Sequence, residues 1–187
     1  YPMTLAETAS LFAETLVRDA LLARSQTCEQ RLDIAWMDGE RVASLLLDIP
    51  SRFHFERALV AGRAEGYLGA GQLRAMMKSA KQQWYGDSLS QYDELFWASK
   101  GHFSIADLGF YNYPYLFGYL FSLGLYAQKE RVGADFVPAY RALLADTGRM
   151  SAESLVEKHL GVDIREPAFW EESLRYVEEA VERLERL

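Results

Sequence analysis

Between Thr4 and Arg24 the chain reads TLAETASLFAETLVRDALLAR, with apolar residues at almost every angle of a 3.6-residue period. This predicts a helix from about Leu5 to Arg24, apolar nearly all round. SQTCEQ is a soft break, and a second long helical pattern runs from Glu29 to about Gly66. Pro50, inside DIPSRFHFERAL, should bend or divide it. GYLGAGQ is a turn by its glycines. The next helix is QLRAMMKSAKQQWY, ended by YGDS. A shorter helix is predicted over SQYDELFWASKGHF, with Ser90 and Asp93 at capping-box spacing. GFYNYPYLFGYLFSLGLYAQKE opens as a turn and becomes a helix with Pro114 in its first turn. FVPAYRALLADTG is closed by Gly148, and SAESLVEKHLG is opened by Ser151 and closed by Gly161. The last segment, EPAFWEESLRYVEEAVERLERL, carries an apolar stripe of Trp170, Leu174, Val177, Val181 and Leu184. With no alternating strand, repeat or low-complexity linker, the fold class is all-α, a single compact multi-helix domain.

The first helix poses a chemical question. At 100° per residue, Glu7, Glu14 and Arg18 lie within about 40° of one another. Leu11 falls inside that stripe, and Ala6, Ala9, Phe12, Ala13, Leu16, Val17 and Ala20 cover most of the rest. Such a helix is expected to be largely enclosed, so a carboxylate on it needs a cation, a donor or a metal. The local pattern also offers plainer partners. Thr4 and Glu7 have capping-box spacing, and Glu14 can pair with Arg18 one turn on.

Tyr111, Tyr115, Tyr119 and Tyr126 recur at helical spacing, with Ser122 among them. On one helix they would present a row of hydroxyls able to hold a peptide carbonyl or an oxyanion, and His102 precedes them on a loop beside Gly101. The same spacing fits an aromatic packing seam, which the local pattern alone favours. His54 reads as a packed or half-exposed helix residue, and His159 as a helix-end residue facing the negative end of the dipole. There is no HExxH, GxSxG or P-loop motif, nor a GxGxxG in strand context.

Composition narrows the classes. A chain of 187 residues, half of them apolar, is long enough for a sizeable core. A net charge of −7 argues against a broad nucleic-acid surface. No apolar run approaches a membrane span, and no signal peptide is visible. The single cysteine, Cys28, excludes an internal disulfide and fits a reducing, cytoplasmic compartment. A start at Tyr1-Pro2-Met3, almost directly on a marked helix, suggests a segment of a longer protein.

Taken in order, LAETASLFAETLV, IPSRFHFE, WYGD, HFSIADLGFYNYPYLFGYLFSLGLYA and GVDIREPAFW resemble the C-terminal part of oligoendopeptidase F, of the thimet-oligopeptidase-like zinc metallopeptidases. The resemblance spans essentially the whole chain. It implies that the chain is the C-terminal part of a larger, mostly helical zincin-type peptidase acting on short peptides at internal bonds. In that family an HExxH helix gives two zinc ligands and the general base, and a following Glu in an ExxS pattern gives the third. Carried over, Glu7 is the third zinc ligand, beside Ser10, and Glu14 is a supporting carboxylate. The family's substrate- and oxyanion-binding groups fall on His102, Tyr115 and Tyr119, with Tyr111 as a further candidate.

This chain departs from the family in having no HExxH helix. One carboxylate does not hold a catalytic zinc, which takes about three protein ligands. The chain alone is therefore expected to be inactive and not to retain zinc tightly. Its expected partners are an oligopeptide substrate and the missing N-terminal part of the same protein. An uncovered apolar groove would favour a homodimer. The rival reading is a non-catalytic helical peptide-binding or assembly module, or one half of a split enzyme.

Overall fold

The computed structural model describes residues 2–105 and 107–187. Among them the regular structure is helical throughout, apart from an isolated bridge between Thr147 and Met150. No helix of the described residues is long and apolar enough to cross a membrane. The chain divides into two compact units, Tyr1–Val42 with Phe117–Leu187, and Ala43–Leu116.

The first unit begins with a 3-10 turn, Met3–Leu5, and then α1, Thr8–Arg24. After α2, Cys28–Ala43, the chain leaves this unit and returns along α6, Tyr113–Val132. Helices α7, Phe136–Asp146, α8, Ala152–Leu160, and α9, Pro167–Glu185, complete it. Pro114 sits in the first turn of α6, where a missing N–H costs nothing. The core is aromatic and aliphatic: Phe12, Phe121, Leu125, Phe136, Leu143, Leu155, Val156 and Phe169 are buried together. Phe12 of α1 stacks on Tyr140 of α7 with ring centroids 4.3 Å apart.

Two sequence expectations change here. Helix α1 is not enclosed. It buries Thr8, Leu11, Phe12 and Thr15, while Val17 and Leu21 are 59% and 51% exposed. In α9 the buried line is Phe169, Ser173, Val177 and Ala180, with Leu174 and Val181 on the exposed side. The displacement follows from Gly124 of α6, against which the Phe169 ring is pressed so closely that a Cβ there would lie 2.3 Å from Cζ.

The cap signals of α8 hold. The Ser151 hydroxyl accepts the Ser154 N–H, and Gly161 ends the helix at φ 66°. Lys158 and His159, in its last turn, donate to Asp146 Oδ2 at 2.6 and 2.9 Å. These two donors hold the Asp146 carboxyl below its ordinary range. A depressed pKa contributes stability that is present above about pH 4 and is lost as pH falls through the folded value. In thermal melts from pH 2 to 6, Asp146→Asn should therefore melt below the parent at pH 6 and converge with it at the acid end.

In the second unit a π-helical turn, Ser44–Asp48, leads into α3, Ile49–Glu65. Pro50 divides the long predicted helix there. It has no N–H for the preceding turn, and the widened π turn takes up the mismatch. Helix α4, Ala70–Tyr85, follows the predicted glycine turn. Phe55, Met77 and Ala80 form the buried centre. Asp48 is held by Lys81 at 2.7 Å and Arg52 at 2.5 Å. The helix predicted around SQYDELFWASKGHF shrinks to α5, Phe96–Ser99, and a 3-10 turn, Gly101–Phe103. Asp93 is used instead as a local turn acceptor for the Leu95 N–H (3.0 Å). Glu94 is tied to Arg74 and Lys78 of α4, at 2.9 and 3.5 Å.

Candidate functional site

Three of the residues singled out in the sequence meet in the second unit. His102 lies in the 3-10 turn, Tyr111 just before α6, and Tyr115 in its first turns. The His102 ring is 6.5 Å from Tyr111, stacked, and 6.2 Å from Tyr115, edge-on. Tyr111 and Tyr115 meet edge to face at 5.5 Å. All three are half-buried.

The loop behind the cluster is gripped by a residue that the sequence did not single out. Glu56 of α3, 4% exposed, accepts the Phe110 N–H through Oε1 at 2.5 Å and the Asn112 Nδ2 through Oε2 at 3.0 Å. Among the described residues, Phe110 is the non-glycine residue with positive φ, at 61°.

One helix does not cover all four tyrosines: α6 begins at Tyr113, so Tyr111 precedes it, while Tyr115, Tyr119 and Tyr126 lie on it. Tyr119 and Tyr126 belong to the first unit. Tyr119 is 1% exposed, its ring face lies 5.3 Å from the Arg41 guanidinium, and burial pushes its hydroxyl above the usual tyrosine range. Tyr126 donates to Asp19 Oδ2 of α1 at 2.5 Å.

Glu7 is the N-cap residue of α1, at φ −100°. The helix therefore starts three residues later than a Thr4 cap would require. Glu7 is half-buried, and the Ser10 hydroxyl donates to its carbonyl oxygen (3.0 Å) and its Oε2 (3.2 Å). Its backbone is pinned to α6 by Gly118, where an added Cβ would come within 3.0 Å of the Glu7 Cβ and 3.2 Å of its carbonyl carbon. This glycine, next to Tyr119, lets the two helices approach closely.

Glu14 does not pair with Arg18. Its partner is Arg41 of α2, while Arg18 turns to Asp38 at 2.9 Å. Asp38 is 1% exposed, and Arg183 of α9 approaches it from another side at 3.6 Å. Burial holds the Asp38 carboxyl above its ordinary value, against the opposing pull of Arg18, Arg183 and Arg41. None of the Asp38 contacts has hydrogen-bond geometry, which explains why desolvation prevails. Glu14, Arg18, Asp38 and Arg41 line a groove of about 540 Å3 between α1 and α2, together with Val17, Leu21 and Met37.

The other two histidines lie outside this cluster's ring contacts, His159 on Asp146 and His54 on α4. His54 Nδ1 lies 2.8 Å from Gln83 Oε1, and its ring meets Trp84 edge-on. Cys28 is exposed at the start of α2. Among the described residues no group of three His, Cys, Asp or Glu side chains could hold a metal ion. The described residues by themselves therefore do not supply the three protein ligands of a zinc site.

Searches of family models, of curated proteins and of solved structures gave no match to this chain.

Proposed function

We propose that this chain is the substrate-binding part of a zinc-dependent oligoendopeptidase that hydrolyses internal bonds of short peptides. The supporting observation is the convergence of His102, Tyr111 and Tyr115, a loop histidine and two tyrosines joined in one half-buried cluster. An imidazole N–H and phenol O–H groups on such an edge can donate to a peptide carbonyl oxygen, and more strongly to an oxyanion. Glu7 would contribute one carboxylate toward an ion whose imidazole ligands come from an HExxH helix outside this chain. Its fixed backbone against Gly118 suits a residue that must not drift. Glu14, paired with Arg41, would support that carboxylate. Tyr119, expected in substrate binding, is 1% exposed with its ring against Arg41, so it has no donor role in this reading. A cytoplasmic setting and an oligopeptide substrate belong to the same reading.

The exposed wall of the α1–α2 groove, with Met37 at 66%, favours a second reading. There the chain is a non-catalytic peptide-binding or assembly module, a half of a split enzyme, or a homodimer through this face.

The deciding experiment joins this chain to whatever coding sequence precedes Tyr1. It measures zinc content and cleavage of a quenched oligopeptide. The peptidase reading expects an in-frame HExxH and zinc-dependent cleavage. Glu7→Ala should lose both zinc and cleavage, while His102→Ala should keep zinc and cleave more slowly. Undiminished cleavage by Glu7→Ala would remove the ligand role. Peptide binding without cleavage by any form would leave the binding module.

A further inference from the structure

We propose that Glu56 is a positioning residue, which fixes Tyr111 beside His102 and Tyr115 by gripping the chain on both sides of it. The inference rests on the reading of that cluster as a substrate edge. The Glu56 carboxylate spans Phe110 and Asn112, the two neighbours of Tyr111. The Asn112 N–H donates to the Phe110 carbonyl at 2.8 Å, closing a three-residue turn whose centre is Tyr111. Phe110 is held at φ 61°, in a region that bulky L-residues avoid and that persists only where surroundings enforce it. Released to ordinary extended backbone, Phe110 would redirect the following residue, and the Tyr111 ring would leave His102. The carboxylate that enforces the conformation is 4% exposed and comes from the middle of α3. A buried carboxylate is costly, and an apolar side chain would fill the same space more cheaply. What the carboxylate adds is two acceptors aimed at one loop.

Asn112 supplies a discriminating control. It is fully buried, and its Oδ1 has no hydrogen-bond partner. In Glu56→Gln, the new Oε1 can keep the Phe110 N–H, and a flipped Asn112 amide can accept from the new Nε2. Glu56→Gln should therefore preserve the grip, and Glu56→Leu, of similar size, should abolish it.

The test reads the ring contacts of His102 with Tyr111 by NMR, and hydrogen exchange of the Phe110 amide, on this chain. Glu56→Leu should lose the His102–Tyr111 cross-peaks and expose the Phe110 amide at least about tenfold faster, while Glu56→Gln stays like the parent. Cross-peaks that persist in folded Glu56→Leu would overturn the proposal. Should that variant not fold, Glu56→Asp, too short to span both donors, is read in the same way. In a form of the protein that cleaves peptides, Glu56→Leu should lower kcat at least about tenfold with KM nearly unchanged, and Glu56→Gln should restore it. Cleavage indifferent to Glu56 would overturn this proposal and leave the peptidase reading intact. Absence of cleavage in every form would sink the peptidase reading, and the ring contacts would still decide whether Glu56 places Tyr111.

Discussion

Phe169→Ala is expected to lower stability by about 3–5 kcal/mol, the range for emptying a buried aromatic site. The ring is 2% exposed and lies between Phe121, at 5.9 Å, and Trp170, at 5.1 Å. Its third wall is the backbone of α6 at Gly124, so the cavity left behind would be bounded by a helix that cannot collapse into it. The complementary change is Gly124→Ala. A Cβ there would stand 2.3 Å from one ring atom and 2.6 Å from another, so the ring or the helix must move. Overpacking of this kind costs about 1–3 kcal/mol, against about 1 kcal/mol gained in helix propensity. Combining Gly124→Ala with Phe169→Leu should cost less than the sum of the two single changes. Urea unfolding of the four proteins measures the coupling. Additivity within about 0.5 kcal/mol would mean that the two residues do not share the recess.

That recess also marks how far the fold was readable in the sequence. Helix ends set by local chemistry were legible: the break after Arg24, the glycine turn before α4, Pro114, Ser151 and Gly161. The buried face of α9 was not. Its apolar stripe is continuous through Leu174 and Val181, and only the missing side chain at Gly124, more than forty residues earlier, draws Phe169 inward. The short α5 failed for a related reason. Asp93 and Glu94 are satisfied by a turn and by α4, which a periodicity over SQYDELFWASKGHF does not reveal. Helix α1 looked enclosed because its apolar residues encircle it, yet the described chain covers only the Leu11–Phe12 side.

The candidate site was legible to the extent that its residues are close in sequence or share a helix. His102, Tyr111 and Tyr115 lie within fourteen positions and do meet. Tyr119 and Tyr126 share their period but find Arg41 and Asp19, because a helix turns successive residues to different neighbours. Residues acting across long separations were missed. Glu56 reaches Asn112 over 56 positions. Arg41 displaces Arg18 as the partner of Glu14. One signal was available: Asp38 interrupts the run IAWMDG, and a carboxylate among apolar helix positions must be answered by cations from elsewhere.

Asp38→Ala is the second change expected to cost about 3 kcal/mol, since it takes the buried counter-charge away from the part-buried Arg18 and Arg183. Arg18, at 16% exposed, bears most of that loss, and Arg183, at 36%, can turn toward water. Asp38→Asn should cost less, for a reason that also fixes a pH dependence. Burial outweighs the three arginines and raises the carboxyl above its ordinary value of 3.8. The folded chain therefore holds this proton more tightly than the unfolded chain does. The contribution to stability is complete below the unfolded value and is lost as pH rises through the raised folded value. Relative to Asp38→Asn, the parent should then lose stability as pH climbs from about 4 toward neutrality. Denaturant unfolding of both proteins at unit steps of pH measures the difference directly. A parent advantage that grows with pH would show that the arginines, not burial, govern this carboxylate, and that Asp38 binds α1, α2 and α9 as an ion rather than tolerating its place among them.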